Sequence, residues 1–281
     1  MIGYNRLGSN GRLGNQMFQY AALRGIAANR GYEWKVPSPE GPHQTNYGLF
    51  DCFDMSGVTD NNLGLVPQNF PTYKASTGSF DEEFFNNCPD DCNIEDYFQT
   101  EKYFQNISDE IRKDFTFKAE HLEPCKKFME QIGNAIFLHI RRGDYVNLQY
   151  YHPLCEMEYY EKALEQFDSD IPVLVFSDDI QWCAKQELFE SDRFLLSADN
   201  DRYAHVHLDA DGQMRHSLIP YTDLCLMSLC SGGIMANSSM SWWGAWLIEN
   251  PTLPIIAPKK WYGEAASVDD GDLIPERWTR I

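Results

Sequence analysis

From residue 134 onward the chain alternates short apolar runs with segments whose apolar residues recur at helical spacing. The run 134–140 reads as a strand and 156–167 as a helix. A strand over 172–176, a helix over 180–189, a strand over 193–196 and a helix over 222–230 follow. The series closes with a strand at 233–236, a helix at 241–248 and a strand at 254–257. Strands alternating with helices of about ten residues imply a parallel sheet covered on both faces. Residues 131–281 therefore read as one Rossmann-like domain. In the first half, 16–30 forms a helix with small residues along one face (Ala21, Ala22, Gly25, Ala28), and Gly31 is its C-terminal cap. Residues 36–93 hold only short apolar runs among Pro, Gly, Asn and Asp, and 98–115 looks helical. Residues 1–130 thus form a second, more irregular α/β domain, with the boundary near 131–133.

The polar, chemically loaded segments punctuate this pattern. His139-Ile140-Arg141-Arg142-Gly143-Asp144 ends the first strand of the second half, and Ser177-Asp178-Asp179 ends the next. Asn237-Ser238-Ser239 follows the fourth and opens a helix. Open α/β sheets bind ligands beyond the carboxyl ends of their strands, so three separate motifs converge on one crevice.

Length and composition add limits. A chain of 281 residues suits two domains. A net charge of -19 argues against general nucleic-acid binding, though two or three Arg can still make a local anion site. Met1-Ile2-Gly3-Tyr4-Asn5-Arg6 lacks a signal-peptide core, and the longest apolar stretch, 224–235, is too short to span a membrane. A soluble, cytoplasmic protein is expected. Of eight scattered Cys, Cys225 and Cys230 read as core thiols. Cys88 and Cys92 have spacing that could bridge, against which a reducing compartment weighs.

Each motif has a bland reading beside the functional one. Gly11-Arg12-Leu13-Gly14-Asn15-Gln16 presents backbone N–H groups at a helix start, an anion site, or forms a plain tight turn. Glu33 lies about 20 residues on, where a dinucleotide fingerprint places its acid, so an NAD-linked oxidoreductase stands as a rival. Arg141 and Arg142 suit bidentate phosphate recognition, with Asp144 locking a guanidinium; the alternative is a strand-end ion pair. Ser177 and Asp178 could accept hydrogen bonds from a base or cap the next helix. Asn237, Ser238 and Ser239 suit a diphosphate, or Ser238 is simply a cap. Trp243 and Trp246 read as core. His205, His207, Asp209 and His216 belong to a polar hairpin around Asp211-Gly212 rather than to a metal site.

Taken together, these residues resemble the α-1,2-fucosyltransferases. The likeness is carried by the 11–20 segment, the His139–Asp144 motif and Ser177-Asp178-Asp179 followed by Trp182. Gln99-Thr100-Glu101-Lys102-Tyr103-Phe104, the 223–246 stretch and Ile274-Pro275-Glu276-Arg277-Trp278 extend it over essentially the whole chain. The resemblance implies a GT-B architecture, two Rossmann-like domains facing across a cleft, with no metal or other cofactor. It implies GDP-β-L-fucose as donor, the 2-OH of a galactose-containing glycan as acceptor, and inversion to an α-linkage. On this resemblance Arg141 holds the β-phosphate, supported by Arg142. His139 and Asp178 sit near the nucleoside, and Ser238 and Ser239 near the diphosphate. Asn15, in the glycine-rich segment with Arg12 and Gly14, reaches the donor from the facing domain. The general base stays open among Asp144, His152, Asp178 and Asp179. A different linkage and a non-catalytic sugar-binding protein stay open as well, as does the oligomeric state. Two departures from the family pattern stand out: the opening strand is short and polar, and 198–220 is long, which suggests an acceptor-side loop.

Overall fold

A computed structural model describes residues 1–41, 47–197 and 219–281. The chain divides into two compact units, Met1–Lys118 with Val268–Pro275, and Ala119–Ser267 with Glu276–Ile281.

The first unit carries strands β1 (Ile2–Gly3), β2 (Trp34–Lys35), β3 (Thr72–Tyr73) and β4 (Cys92–Ile94), and helices α1 (Leu13–Arg30), α2 (Leu49–Cys52), α3 (Glu82–Asn87) and α4 (Ser108–Asp114). Its sheet runs β2-β1-β4-β3, and every pairing is parallel. The brevity of β1 is offset by side chains that extend the ladder. The Asn5 N–H donates to Asn93 Oδ1 at 2.8 Å, and Asn5 Oδ1 accepts from the Val66 N–H at 3.0 Å. Helix α1 buries most of its surface and ends where Gly31 takes φ +67, returning its N–H to the Ala27 and Ala28 carbonyls. The small face has a specific purpose. A Cβ at Gly25 would overlap the Tyr103 carbonyl, and Asn106 donates to the Gly25 carbonyl at 3.1 Å. The segment packed there is 3-10 turns at Glu101–Tyr103 and Gln105–Ile107 before α4, rather than continuous helix over 98–115. Thr100 begins it by accepting the Lys102 N–H.

A buried ion pair ties this unit together. Asp114, at the end of α4, pairs with Arg24 of α1, accepts from Tyr20 Oη at 2.8 Å and takes the Gly57 N–H at 2.6 Å. The Arg24 guanidinium lies 4.7 Å from the Trp34 ring centroid.

The second unit opens with α5 (Ala119–Ile132), then β5 (Ile136–Ile140), α6 (Met157–Leu164), β6 (Val173–Ser177), α7 (Ile180–Cys183) and β7 (Phe194–Leu196). After the undescribed stretch come α8 (Ile219–Ser228), β8 (Gly232–Ile234), α9 (Ser239–Leu247), β9 (Ile255–Ala257) and β10 (Thr279–Arg280). The sheet order is β10-β9-β8-β5-β6-β7, all parallel. Ile136, Leu138 and Ile140 alternate onto one face and pack with Val173, Val175, Tyr160, Leu164 and Ile234. Trp243 and Trp246 are buried as expected, and Trp242 is buried beside them, with the Trp242 and Trp278 ring centroids 5.3 Å apart.

Several features differ from the sequence expectation. The units divide at Lys118–Ala119 rather than at 130–131, because α5 packs on α8; Cys125 Sγ lies 3.8 Å from the Thr222 carbonyl. The helix expected over 180–189 is α7 followed by a separate 3-10 turn at Glu187–Phe189, which buries Phe189. Strand β10, two residues long, shows no periodicity in sequence and is held by its pairing with β9. Cys88 and Cys92 are free thiols with sulfurs 4.0 Å apart. The hairpin around Asp211-Gly212, with His205, His207, Asp209 and His216, lies outside the described residues. Among the described residues, no helix is long and apolar enough to cross a membrane.

Removing Asp114 strands a largely buried Arg24. The Asp114→Ala variant should lose about 3–5 kcal/mol of stability, measured as denaturant-induced unfolding. A loss under about 1 kcal/mol would show that the pair is incidental.

Candidate active site

The in-register pairing of β5 with β6 builds the first part of the site. Ile140 lies opposite Ser177, so the residues leaving the two strands meet in pairs. Arg141 contacts Asp178 through Nη1 and Asp144 through Nη2. The Arg142 N–H donates to Asp178 Oδ1 at 2.8 Å, and Arg142 Nε donates to Asp179 Oδ2 at 3.1 Å. Both guanidinium groups lie on aromatic faces, Arg142 at 3.8 Å from the Trp182 ring centroid and Arg141 at 4.9 Å from that of Tyr145. Neither Arg can swing freely.

The two aspartates of β6 divide their work. Asp179 caps α7 by accepting the Trp182 N–H at 3.3 Å, while its own N–H donates to Ser177 Oγ at 3.0 Å. Asp178 spends both oxygens on Arg141 and Arg142, so its carboxylate is a counter-ion here rather than a free acceptor for a base. Asp144 likewise locks a guanidinium, as its spacing suggested.

At the neighbouring strand end, Asn237 is buried and its amide is fully engaged. Nδ2 donates to the Pro153 and Trp261 carbonyls at 2.9 and 3.0 Å, and Oδ1 accepts from Cys155 Sγ at 3.7 Å. Its side chain therefore fixes two loops instead of reaching a diphosphate. Ser238 stands at the N-cap of α9 with no side-chain capping bond, and Ser239 follows at the first turn. Both are half-buried, beside the N–H groups of the helix start. His139 is buried beneath this surface. Its carbonyl accepts from Tyr160 Oη at 3.2 Å, and its Nδ1 has no partner among the described residues. Burial first, then the Arg141 charge, pushes its pKa down to about 3, so it is a neutral imidazole.

Tyr145 was not foreseen, although its i+4 spacing from Arg141 could have flagged it. It donates to the Asn237 carbonyl at 3.2 Å, lies under Arg141 and stacks on His152, with ring centroids 4.6 Å apart. Of the four base candidates, Asp144, Asp178 and Asp179 are engaged by arginines. The His152 ring nitrogens have no hydrogen-bond partner among the described residues. Burial holds the His152 pKa below the ordinary value; Asp144 raises it and Arg141 lowers it.

Arg12, Gly14 and Asn15 lie in the first unit, at the start of α1. Gln16 Nε2 donates to the Gly11 carbonyl and Gln19 Nε2 to the Asn10 carbonyl, both at 3.1 Å, which folds the glycine-rich loop onto its own helix. Arg12 is exposed, Gly14 is buried, and Asn15 accepts from Gln99 Nε2 at 2.8 Å. Gln99, from the 99–104 segment, thus holds the Asn15 side chain at the start of α1. Glu33 is exposed beside β2.

The chain as a whole has known relatives. The sequence model of Glycosyl transferase family 11 matches residues 1–281. The chain belongs to this family. It is a glycosyltransferase, which displaces the NAD-linked reading. It is 31% identical over 298 residues to an alpha-1,2-colitosyltransferase of Escherichia coli, covering 96% of each chain. It is 30% identical to the O-antigen biosynthesis glycosyltransferase WbnK of Escherichia coli, covering 97% of this chain and 98% of that protein. A galactoside 2-alpha-L-fucosyltransferase, Sec1 of Mus musculus, is 25% identical over 86% of this chain and 64% of its own length. Among solved structures, fucosyltransferase NodZ from Bradyrhizobium superposes with a TM-score of 0.53 at 12% identity, over 89% of this chain and 96% of that one. POFUT1 in complex with GDP-fucose gives 0.50 at 13%, over 91% and 96%. The fold is thus α/β of the GT-B type.

His139 and Asp223 are both buried, each with a polar atom that has no partner among the described residues, and their pH effects oppose each other. Burial pushes Asp223 up to about 8, so the folded chain holds a proton there that the unfolded chain releases, and stability falls as pH rises from about 4 to 8. For His139 the unfolded chain takes up the proton, so stability falls as pH drops from about 6.5 toward 3. Replacing His139 by Gln should remove the second slope. Below about pH 6 the stability difference between wild type and variant should shift by about 1.4 kcal/mol per pH unit. Parallel unfolding curves from pH 7 to pH 4.5 would refute the buried neutral imidazole.

Proposed function

We propose that this glycosyltransferase moves L-fucose from GDP-β-L-fucose to the 2-OH of a terminal galactose in a glycan, with inversion and without a metal. The observation that carries the proposal is the paired Arg141 and Arg142, immobilised at the end of β5 next to the start of α9. Fucosyltransferases among the relatives and fold neighbours support the donor. The colitosyl relative favours a second donor reading, transfer of a colitosyl group by the same chemistry.

In the proposed reaction the acceptor oxygen attacks the anomeric carbon of fucose as the bond to the β-phosphate oxygen breaks. Negative charge builds on the departing GDP. Arg141, supported by Arg142, meets it with N–H donors already fixed in place, while the N–H groups near Ser238 and Ser239 serve the diphosphate. Asp144 and Asp178 act by positioning Arg141. His152, neutral and unpartnered, is the base that takes the acceptor proton, and Tyr145 places its ring beside Arg141.

GDP release should be stimulated by galactose-terminated acceptors in the presence of EDTA, with GDP-fucose and a colitosyl nucleotide compared as donors. Acceptor-stimulated release from GDP-fucose, with an α-1,2 product on linkage analysis, is the expected outcome. Turnover from the colitosyl donor alone would select the second reading, and a rate restored only by Mg²⁺ or Mn²⁺ would end the metal-free one. Arg141→Ala should lower transfer by at least about 100-fold with the fold intact. His152→Gln should lower kcat far more than it raises the donor KM, and should abolish the acidic limb of the pH profile. A variant that keeps that limb excludes His152 as the base.

A further inference from the structure

The stretch 145–153 follows directly from the arginine pair and has an unusual surface. Among the described residues of the second unit, every exposed large hydrophobic side chain lies within it: Val146, Leu148, Tyr150 and Tyr151. Tyr150 is 79% exposed and Tyr151 52%. Isolated exposed apolar residues need no explanation, but four within six residues form a patch.

The backbone beneath the patch is fixed. Val146 N–H donates to the Arg142 carbonyl at 3.0 Å, and Tyr151 and His152 N–H groups both donate to the Leu148 carbonyl, at 2.8 and 2.9 Å. The carbonyls of Tyr150 and Tyr151 accept from Ala265 and Gly263 at 3.1 and 2.9 Å. A Cβ at Gly263 would overlap the Tyr150 carbonyl, so only glycine permits this close approach. Asn237 anchors the far end through the Pro153 carbonyl. A rigid backbone carrying exposed aromatic rings is a preorganised binding surface, which lowers the ordering cost of association.

The chemistry of the patch selects its occupant. From Tyr145 to Pro153 the sequence contains no Asp, Glu, Lys or Arg, although the whole chain carries -19. A nucleic acid or an anionic lipid surface would require basic residues. The segment instead combines aromatic faces with the exposed amides of Asn147 and Gln149. A neutral pyranose ring has the matching features, an apolar C–H face and a rim of hydroxyls. The segment is continuous with the arginine site through the Arg141–Tyr145–His152 stack.

We propose that segment 145–153 is the acceptor subsite, with Tyr150 and Tyr151 the platform on which the terminal hexopyranose of the glycan stacks. This rests on the glycosyl transfer proposed above. Asn147 and Gln149 hydrogen-bond the hydroxyl rim, and His152 stands at the end of the platform nearest the arginines.

The test uses the full chain, the double variant Tyr150→Ala/Tyr151→Ala and the restoring variant Tyr150→Trp/Tyr151→Trp, with lactose as the acceptor probe. Both side chains are largely in water, so the variants keep the fold. The double Ala variant should raise the lactose KM at least about tenfold and lose the saturation-transfer NMR signal of lactose. Its affinity for GDP should match wild type, and the Trp variant should recover both lactose readouts. If transfer proceeds and the Ala variant keeps the wild-type lactose KM, the subsite is overturned while the activity stands. If lactose neither accepts a sugar nor gives a saturation-transfer signal with wild type, the subsite falls. Should no donor and acceptor react at all, the proposed function falls with it. Wild-type flotation on phosphatidylcholine vesicles that the Ala variant loses, with unchanged lactose KM, would reassign the patch to lipid.

Discussion

Two adjacent guanidinium groups at the end of a buried strand repel each other and must be desolvated together, so they persist only where the neighbouring strand brings counter-charges. The parallel, in-register pairing of β5 and β6 meets that condition, because Ile140 opposite Ser177 sets Arg141 and Arg142 against Asp178 and Asp179. A one-residue slip would turn the strand faces over and break both ion pairs at once. The core alternation of Ile136, Leu138 and Ile140 and the chemistry at the strand end are therefore consequences of the same register.

The regular part of the second unit was legible because its strands are buried on both faces and its helices are long enough to show a period. The strand ends were legible for a related reason: a polar cluster after an apolar run has few places to go except the carboxyl edge of the sheet. What escaped was short or irregular. The pair Thr279–Arg280 carries no period, and the turns at Glu101–Tyr103 and Gln105–Ile107 contain the apolar residues of a helix without its hydrogen-bond pattern. Their path is set by the approach of α1 at Gly25, a tertiary contact invisible to local propensity.

Within the site, residue types were easier to read than their partners. The charge pattern pointed to Asp144 as a clamp for an arginine, and the structure adds Asp178 as a second. Asn237 looked like a ligand contact because it precedes two serines at a helix start, yet its amide holds the Pro153 and Trp261 carbonyls. An amide's donors and acceptors look alike in sequence whether they face a ligand or the chain itself, and only the count of satisfied groups separates the two. Tyr145 was overlooked because an aromatic after a charged motif reads as generic packing.

The arginine cluster is not a positive patch in sum. Arg141 and Arg142 face Asp144, Asp178 and Asp179, three carboxylates against two guanidiniums, on a chain whose net charge is -19. The anionic nucleotide donor of the proposed reaction would thus approach through a repulsive far field and gain attraction only at contact, where the fixed N–H donors are. Encounter with such a donor is opposed by long-range electrostatics, and mobile ions that screen the field speed it. In the proposed reaction the same balance eases escape of the anionic nucleotide product, so selectivity for the diphosphate would come from the geometry of the fixed N–H donors.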